Sequence, residues 1–230
     1  MPFGASRAGL MSVAEDDIPD IGLDHLWWGP SMKTADTYPD VEGALDMSAV
    51  ESPQLSDIND RQAADYDGSN DAHTVSSSPS LGDNDAWTMV VVYDLADDGS
   101  ANVAFDLGSN GSDFGGYEFN VRFDNDEYQM GHTGVDSVRG GSPSEGPEIA
   151  VATYDGSEMI LDINKTEIAR GSVQGPNAPQ NQTDIGRRGD NDQHTNGLIG
   201  AVGHEAAAAD SSRRDELTDI MADEFNIDLS

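Results

Sequence analysis

Hydrophobic and polar positions along this chain follow a period of two far more often than a period of 3.6. The longest apolar run, Trp87-Thr88-Met89-Val90-Val91-Val92-Tyr93, is rich in β-branched residues and predicts a strand buried on both faces. Asp97-Asp98-Gly99 then turns the chain, and Ala101 to Leu107 returns as a second strand. From Tyr117 to Asp124 the alternation is clean. Tyr117, Phe119, Val121 and Phe123 fall on one face, and Glu118, Asn120, Arg122 and Asp124 on the other. Ile149, Val151 and Thr153 alternate in the same way, as do Met159, Leu161 and Ile163 after the Asp155-Gly156 turn. Leu198, Ile199, Ala201 and Val202 supply a further strand. Residues 23–86 are dense in turn formers, among them Gly29-Pro30 and Asp67-Gly68-Ser69-Asn70-Asp71, with short strands between them. One helical stripe stands apart near the C-terminus: Leu217, Ile220, Met221 and Phe225, with Ser211 or Ser212 to cap it and Asp215 and Glu216 in its first turn. This pattern predicts an all-β antiparallel sandwich or jelly roll with a short C-terminal helix.

Composition narrows that picture. The chain carries 44 Asp+Glu against 11 Lys+Arg, a formal net charge of -33. Self-repulsion of that size loosens a compact domain in dilute buffer, and salt screens it. At about 1 M salt the Debye length is roughly 3 Å. The composition therefore reads as that of a protein built for brine, and it makes acidic clusters poor markers of sites. A chain with no Cys has no disulfide or thiolate metal site. The missing basic footprint argues against nucleic-acid partners and against an anionic membrane surface. No run is long and apolar enough for a membrane insertion. Residues 1–22, rich in Gly, Ala and Ser and then acidic, lack periodicity and read as an extended arm before a domain over 23–230. The first residues have no apolar segment of the signal-peptide kind, so the expectation is a chain made in the cytoplasm.

Several segments, in order, resemble the laminin-G-like, concanavalin A-like jelly-roll family. They are Ala64-Asp65-Tyr66-Asp67-Gly68-Ser69-Asn70-Asp71, Ala86 to Tyr93, Thr153-Tyr154-Asp155-Gly156 through Lys165, Asp184-Ile185-Gly186-Arg187, and Asn196 to Val202. The helix from Asp215 to Phe225 resembles the short helix after the final strand of such domains. Two departures stand out. Asn164-Lys165 replaces the usual Asn-Gly of the central hairpin, and Ala201 replaces the usual acid of the last strand. The fold hosts lectins, glycanases and scaffolds alike. A second resemblance lies in the arm, where Gly4-Ala5-Ser6-Arg7-Ala8-Gly9 looks like the N-termini of tailed-virus structural proteins. Phe3, Arg7 and Leu10 are its candidate docking residues.

Candidate chemistry is sparse. His25, His73, His132, His194 and His204 show no zinc spacing. Jelly-roll glycanases place two carboxylates about 5–5.5 Å apart when retaining. Glu118 is followed on its own face by Asn120 and Arg122, so no such pair sits on the best strand. Acids from separate strands remain able to meet. The resemblance also implies a calcium site held by loop oxygens, with Asp67, Asn70 and Asp71 as candidate ligands and Asp94, Asp97 and Asp98 as a second cluster. The alternative is a solvated acidic surface. Trp27 and Trp28 point to opposite faces if on a strand, so one of them, taken as Trp28, is a candidate sugar-stacking residue; the alternative is core or subunit contact. Arg187 and Arg188 form a rare basic pair that either binds an acidic glycan or partner or locks a loop through ion pairs.

The expectation drawn from these features is a non-enzymatic, homo-oligomeric virion surface protein of a haloarchaeal virus, either capsid decoration or tail appendage. Its arm would dock on other virion proteins, and its lectin-like loops would contact host surface glycan or glycoprotein. The alternatives are a carbohydrate-binding module or glycanase-like domain of a halophile, and a purely architectural virion protein.

Overall fold

A computed structural model describes residues 21–79, 84–107, 116–132, 136–174, 182–189 and 193–229. The candidate docking residues Phe3, Arg7 and Leu10 lie outside them. Six strands precede Trp87: β1 (His25–Trp28), β2 (Thr37–Tyr38), β3 (Met47–Val50), β4 (Gln54–Ile58), β5 (Arg61–Asp67) and β6 (Ala72–Val75). Then come β7 (Trp87–Leu95), β8 (Ala101–Leu107), β9 (Tyr117–Arg122), β10 (Glu127–His132) and β11 (Asp136–Gly140). The last strands are β12 (Glu148–Tyr154), β13 (Glu158–Ile163), β14 (Thr166–Ser172), β15 (Thr183–Ile185) and β16 (Asn196–Glu205), followed by helix α1 (Ser211–Phe225).

The strands form two antiparallel sheets, the architecture of a jelly-roll β-sandwich. One runs β14-β13-β12-β7-β16-β5-β4, with β1 added alongside β16. The other runs β11-β10-β9-β8-β15-β6-β3-β2. Between them lies one apolar core, to which Met89, Val91, Tyr93, Phe105, Phe119, Val121, Leu161 and Ile199 all contribute. A buried carboxylate ties the layers together. Glu148 on β12 accepts hydrogen bonds from Tyr93 (3.0 Å), from Tyr128 on β10 (2.7 Å) and from Ser144 (2.6 Å). At one edge the sheets approach closely, and a Cβ on Gly140 of β11 would collide with the Ile168 carbonyl of β14.

The first sheet is buried on its outer face too. Val90 and Val92 of β7 and Ile149 and Val151 of β12 pack under Leu217, Met221 and Phe225 of α1. This is why the Trp87 run is continuously apolar rather than alternating. The N-cap lies one residue before the first expected cap position, and Asp215 and Glu216 fall beyond the first turn, which holds no acid. Asp210 is the N-cap, accepting from the Arg213 amide at 2.9 Å, and Ser211 is the first helical residue. Asp210→Ala should therefore lower stability by about 1 kcal/mol, read as a lower urea midpoint with an unchanged slope; no change would assign the cap to a serine. Asn226 ends the helix in the left-handed region, with φ 51°.

The Asn164-Lys165 turn is resolved by its backbone. Both residues have positive φ, 48° and 66°, as a two-residue type I′ hairpin requires. Lysine is strained there, but its ammonium pairs with Asp219 of α1. Three more cations tie the helix down: Arg61 to Glu224, Arg213 to Glu205 and the Ile21 carbonyl, and Arg214 to Asp162. Ile21, within the segment read as an arm, is buried beside them.

Candidate functional site

Among the described residues no helix lies over the outer face of the second sheet. That face carries polar residues, and the register sets them in two rows. In one row Asn120 of β9 faces Gln129 of β10, which faces Arg139 of β11. In the next, Asp184 of β15 faces Asp106 of β8, which faces Glu118 of β9. Directly opposed residues share a face, with Cβ atoms roughly 4.5–5.5 Å apart. After β15, Arg188 and Gln193 lie against this surface, joined by a 3.0 Å hydrogen bond from the Arg188 amide to the Gln193 carbonyl.

The result is a polar cleft of about 140 Å³. Glu118, Asn120 and Arg122 line it from β9, Gln129 and Arg139 from the neighbouring strands, and Arg188 and Gln193 from the residues after β15. Three of the 11 basic residues of a chain with net charge -33 therefore meet in one cleft. The alternation along β9 was legible in the sequence, but its polar face is not a solvated one. Glu118 is 3% exposed and Asn120 2%.

Hydrogen bonds set the geometry of the cleft. Arg122 spans Asp124 with two bonds, at 3.2 and 2.9 Å, and reaches Gln129 Oε1 at 3.4 Å. The hydrogen bond to Asp124 holds the Arg122 guanidinium charged above its usual range and holds the Asp124 carboxyl below its own. Arg139 donates from Nε to Ser137 (3.1 Å) and from Nη1 to Glu127 (3.2 Å), leaving Nη2 without a bond among the described residues. The Oδ1 of Asn120 is buried and accepts no hydrogen bond. A buried acceptor of that kind costs about 1–3 kcal/mol unless something donates to it.

The acid row is less available than its register suggests. Asp184 is fully buried and binds Arg187 Nε at 3.0 Å and Gln182 at 2.6 Å. Burial pushes its carboxyl up despite the arginine. Asp106 accepts from the Gly189 amide at 2.9 Å. These carboxylates hold Arg187 and Gly189 in place.

The residues singled out in the sequence fall in different places. Arg188 lines the cleft. Arg187 does not: its side chain, 11% exposed, is spent on the ion pair with Asp184. Trp28 is not a stacking platform, because it is 1% exposed and meets Phe225 edge-on at 5.3 Å. Trp27 is buried in the central core, donating from its indole to the Leu45 carbonyl. The candidate calcium ligands Asp67, Asp71, Asp97 and Asp98 are engaged with backbone amides. Asp67 accepts from the Ser69 amide (2.8 Å) and Asp71 from the Ser52 amide (3.0 Å). Asp97 and Asp98 likewise cap the amides of Gly99 and Ser100. Among the described residues no three His, Asp or Glu side chains are grouped to hold a metal ion. Asp67, Asp97 and Asp98 cap their own turns, and Asp71 holds the loop before β4. A second, wider depression of about 470 Å³ is lined by Asp36, Glu51, Ser52 and Leu55 and brings no cation.

Gln129, Arg139 and Gln193 were not foreseen. Gln129 and Arg139 lie on strands without a strong alternating pattern, and only the pairing register sets them beside Asn120.

No family model matches the chain, and no curated protein does. Solved structures do match in fold. Domain 4 of AbnA, an arabinanase of Geobacillus stearothermophilus solved with arabinotriose, aligns with a TM-score of 0.62 at 12% identity, over 85% of this chain and 98% of that one. Trypanosoma rangeli sialidase aligns with 0.64 at 14% identity, over 87% of this chain and 33% of its own. The binding domain of botulinum neurotoxin DC, solved in complex with SialylT, aligns with 0.58 at 12% identity, over 79% of this chain and 48% of its own. This chain thus spans about half of the toxin domain and a third of the sialidase. At such identities the likeness establishes the jelly-roll sandwich and nothing more.

Proposed function

We propose that this protein is a carbohydrate-binding domain and that the cleft on its second sheet is the binding site. The observation that carries this reading is the convergence of Asn120, Gln129, Gln193 and three arginines on one open sheet face. Planar amide and guanidinium groups suit the adjacent hydroxyls of a sugar, because each offers paired hydrogen-bonding atoms at fixed spacing. The arabinotriose-bound domain of similar shape supports the same reading. Binding is favoured over cleavage because Asp106, Asp124, Glu127 and Asp184 beside the cleft are held by protein donors.

A glycan array probed at about 2 M salt, where long-range repulsion is screened, tests this. Binding is expected, and Asn120→Ala with Gln129→Ala should weaken it roughly tenfold or more. Retained affinity in that double variant would move the site elsewhere. Release of reducing ends from the bound glycan would replace binding with hydrolysis.

The virion setting is the finer part of the proposal. It rests on the arm sequence around Arg7 and on the acidic composition. Host surface glycan is then the ligand source, and other virion proteins are the partners of the arm. Detection of the chain in purified particles by mass spectrometry is the expected result, and its absence from them would remove this setting.

A further inference from the structure

We propose that the ligand of the cleft is an acidic saccharide, one whose carboxylate is taken by the arginines and whose neighbouring hydroxyl is taken by Asn120. This rests on the carbohydrate-binding reading and names the substrate class within it.

Three observations lead there. Two atoms of the cleft bear on the chemistry of its ligand, one on the half-exposed Arg139 and one buried on Asn120. Nη2 of Arg139 lacks an acceptor, and the buried Oδ1 of Asn120 lacks a donor. A neutral sugar fills the second but offers the first only a hydroxyl. A uronate-type sugar supplies a planar carboxylate and adjacent hydroxyls together, and a carboxylate accepts two parallel bonds from a guanidinium.

Among the described residues no tryptophan or tyrosine offers an exposed face for stacking, and Phe123 is half-buried against the core. Trp27, Trp28, Trp87 and the six tyrosines are all buried, and Leu55 is the one large hydrophobic side chain exposed among the described residues. Affinity must then come from polar and ionic contacts. The stronger of these are charge-assisted.

Charge around the cleft is nearly balanced, unlike the rest of the chain. Among the described residues Arg122, Arg139, Arg187 and Arg188 stand against Asp106, Glu118, Asp124, Glu127 and Asp184, four against five, where the whole sequence runs to -33. An anion therefore meets little local repulsion there. The remaining long-range repulsion disappears in concentrated salt, where the Debye length is roughly 3 Å. Contact between a guanidinium and a carboxylate survives that screening in part, because the partners touch.

Oligogalacturonate and its methyl ester separate this inference from its parent. They share a skeleton, and only the acid carries charge. Titration calorimetry with the full chain at about 2 M salt should show the acid form binding at least tenfold tighter than the ester. Arg139→Gln should remove that preference, weakening the acid form at least tenfold more than the ester, and circular dichroism would check that the variant is folded. Equal affinity for acid and ester would overturn the acidic-ligand inference while leaving a carbohydrate site standing. Binding of neither, together with a blank glycan array, would overturn the carbohydrate reading itself. An acid preference that persists in Arg139→Gln and in Arg188→Gln would place the charge recognition outside this cleft, and so overturn the inference.

Discussion

Replacing Arg214 with Met should cost this protein about 3–5 kcal/mol, the largest loss expected from a single side chain here. Arg214 sits in the apolar stripe of α1 and reaches down to Asp162 of β13, Nε to Oδ2 at 2.7 Å, with both side chains 7% exposed. Its Nη1 also donates to the Ala209 carbonyl at 3.2 Å. Methionine keeps much of the volume but strands a buried carboxylate whose Oδ1 already lacks a hydrogen-bond partner. A buried ion pair contributes little net stability, whereas breaking one side leaves an uncompensated charge. The double change Arg214→Met with Asp162→Leu should therefore recover most of the loss. Urea unfolding at fixed salt reads both, since urea adds no screening of its own. A single variant within about 1 kcal/mol of the parent would show that Asp162 finds other solvation. Because α1 covers the first sheet, ligand binding at the cleft of the second should be unchanged in both folded variants.

Acidification should destabilise the fold through His204 by about 3 kcal/mol between neutral pH and pH 4. The ring lies on β16 with 1% exposure, and neither nitrogen has a hydrogen-bond partner. Burial, and then the charge of neighbouring His25, push its pKa down to about 4, while Asp24 pulls it the other way. His25 is its cross-strand partner, with ring centroids 6.2 Å apart, and is itself bonded to Asp40 at 2.6 Å. The unfolded chain takes up this proton below about 6.5, and the folded chain only near 4. Stability from the neutral ring is thus fully present above about 6.5 and is lost as pH falls through 4. Asp40 does not share this window. Burial raises its carboxyl, but hydrogen bonds from His25, Gly43, Leu45 and Leu26 outweigh that and hold it near 2. Many carboxylates titrate near pH 4, so the comparison must be with His204→Phe. The stability difference between parent and variant should shift by about 3 kcal/mol from pH 7 to pH 4. A constant difference would mean that His204 finds a proton acceptor.

Much of the sandwich was legible because strands with one or two buried faces write that burial into the chain. The Trp87 run, the Ala101–Leu107 return and the Tyr117 alternation each predicted a strand that is present, the second over the observed span. The helical stripe of Leu217, Met221 and Phe225 was equally readable, but the place of Arg214 within it was not, since its partner lies 52 residues away. The six strands before Trp87 were harder, because turn formers crowd them and several are only two to five residues long. Trp28 misled for a different reason. Period two assigns it to one face of β1, but that face lies under α1, and nothing local says so.

By itself the sequence determined the layers of this protein: alternation and burial are properties of consecutive residues, and so are the apolar stripe and the acidic excess. Tertiary structure decided the site. Asn120, Gln129, Arg139 and Arg188 come from four segments, and strand register with the position of Arg188 after β15 makes them neighbours. It also decided where the scarce cations go, four to bind α1 to its sheet and three to the cleft. Pairing across strands depends on residues far apart in the chain, and no local pattern records it.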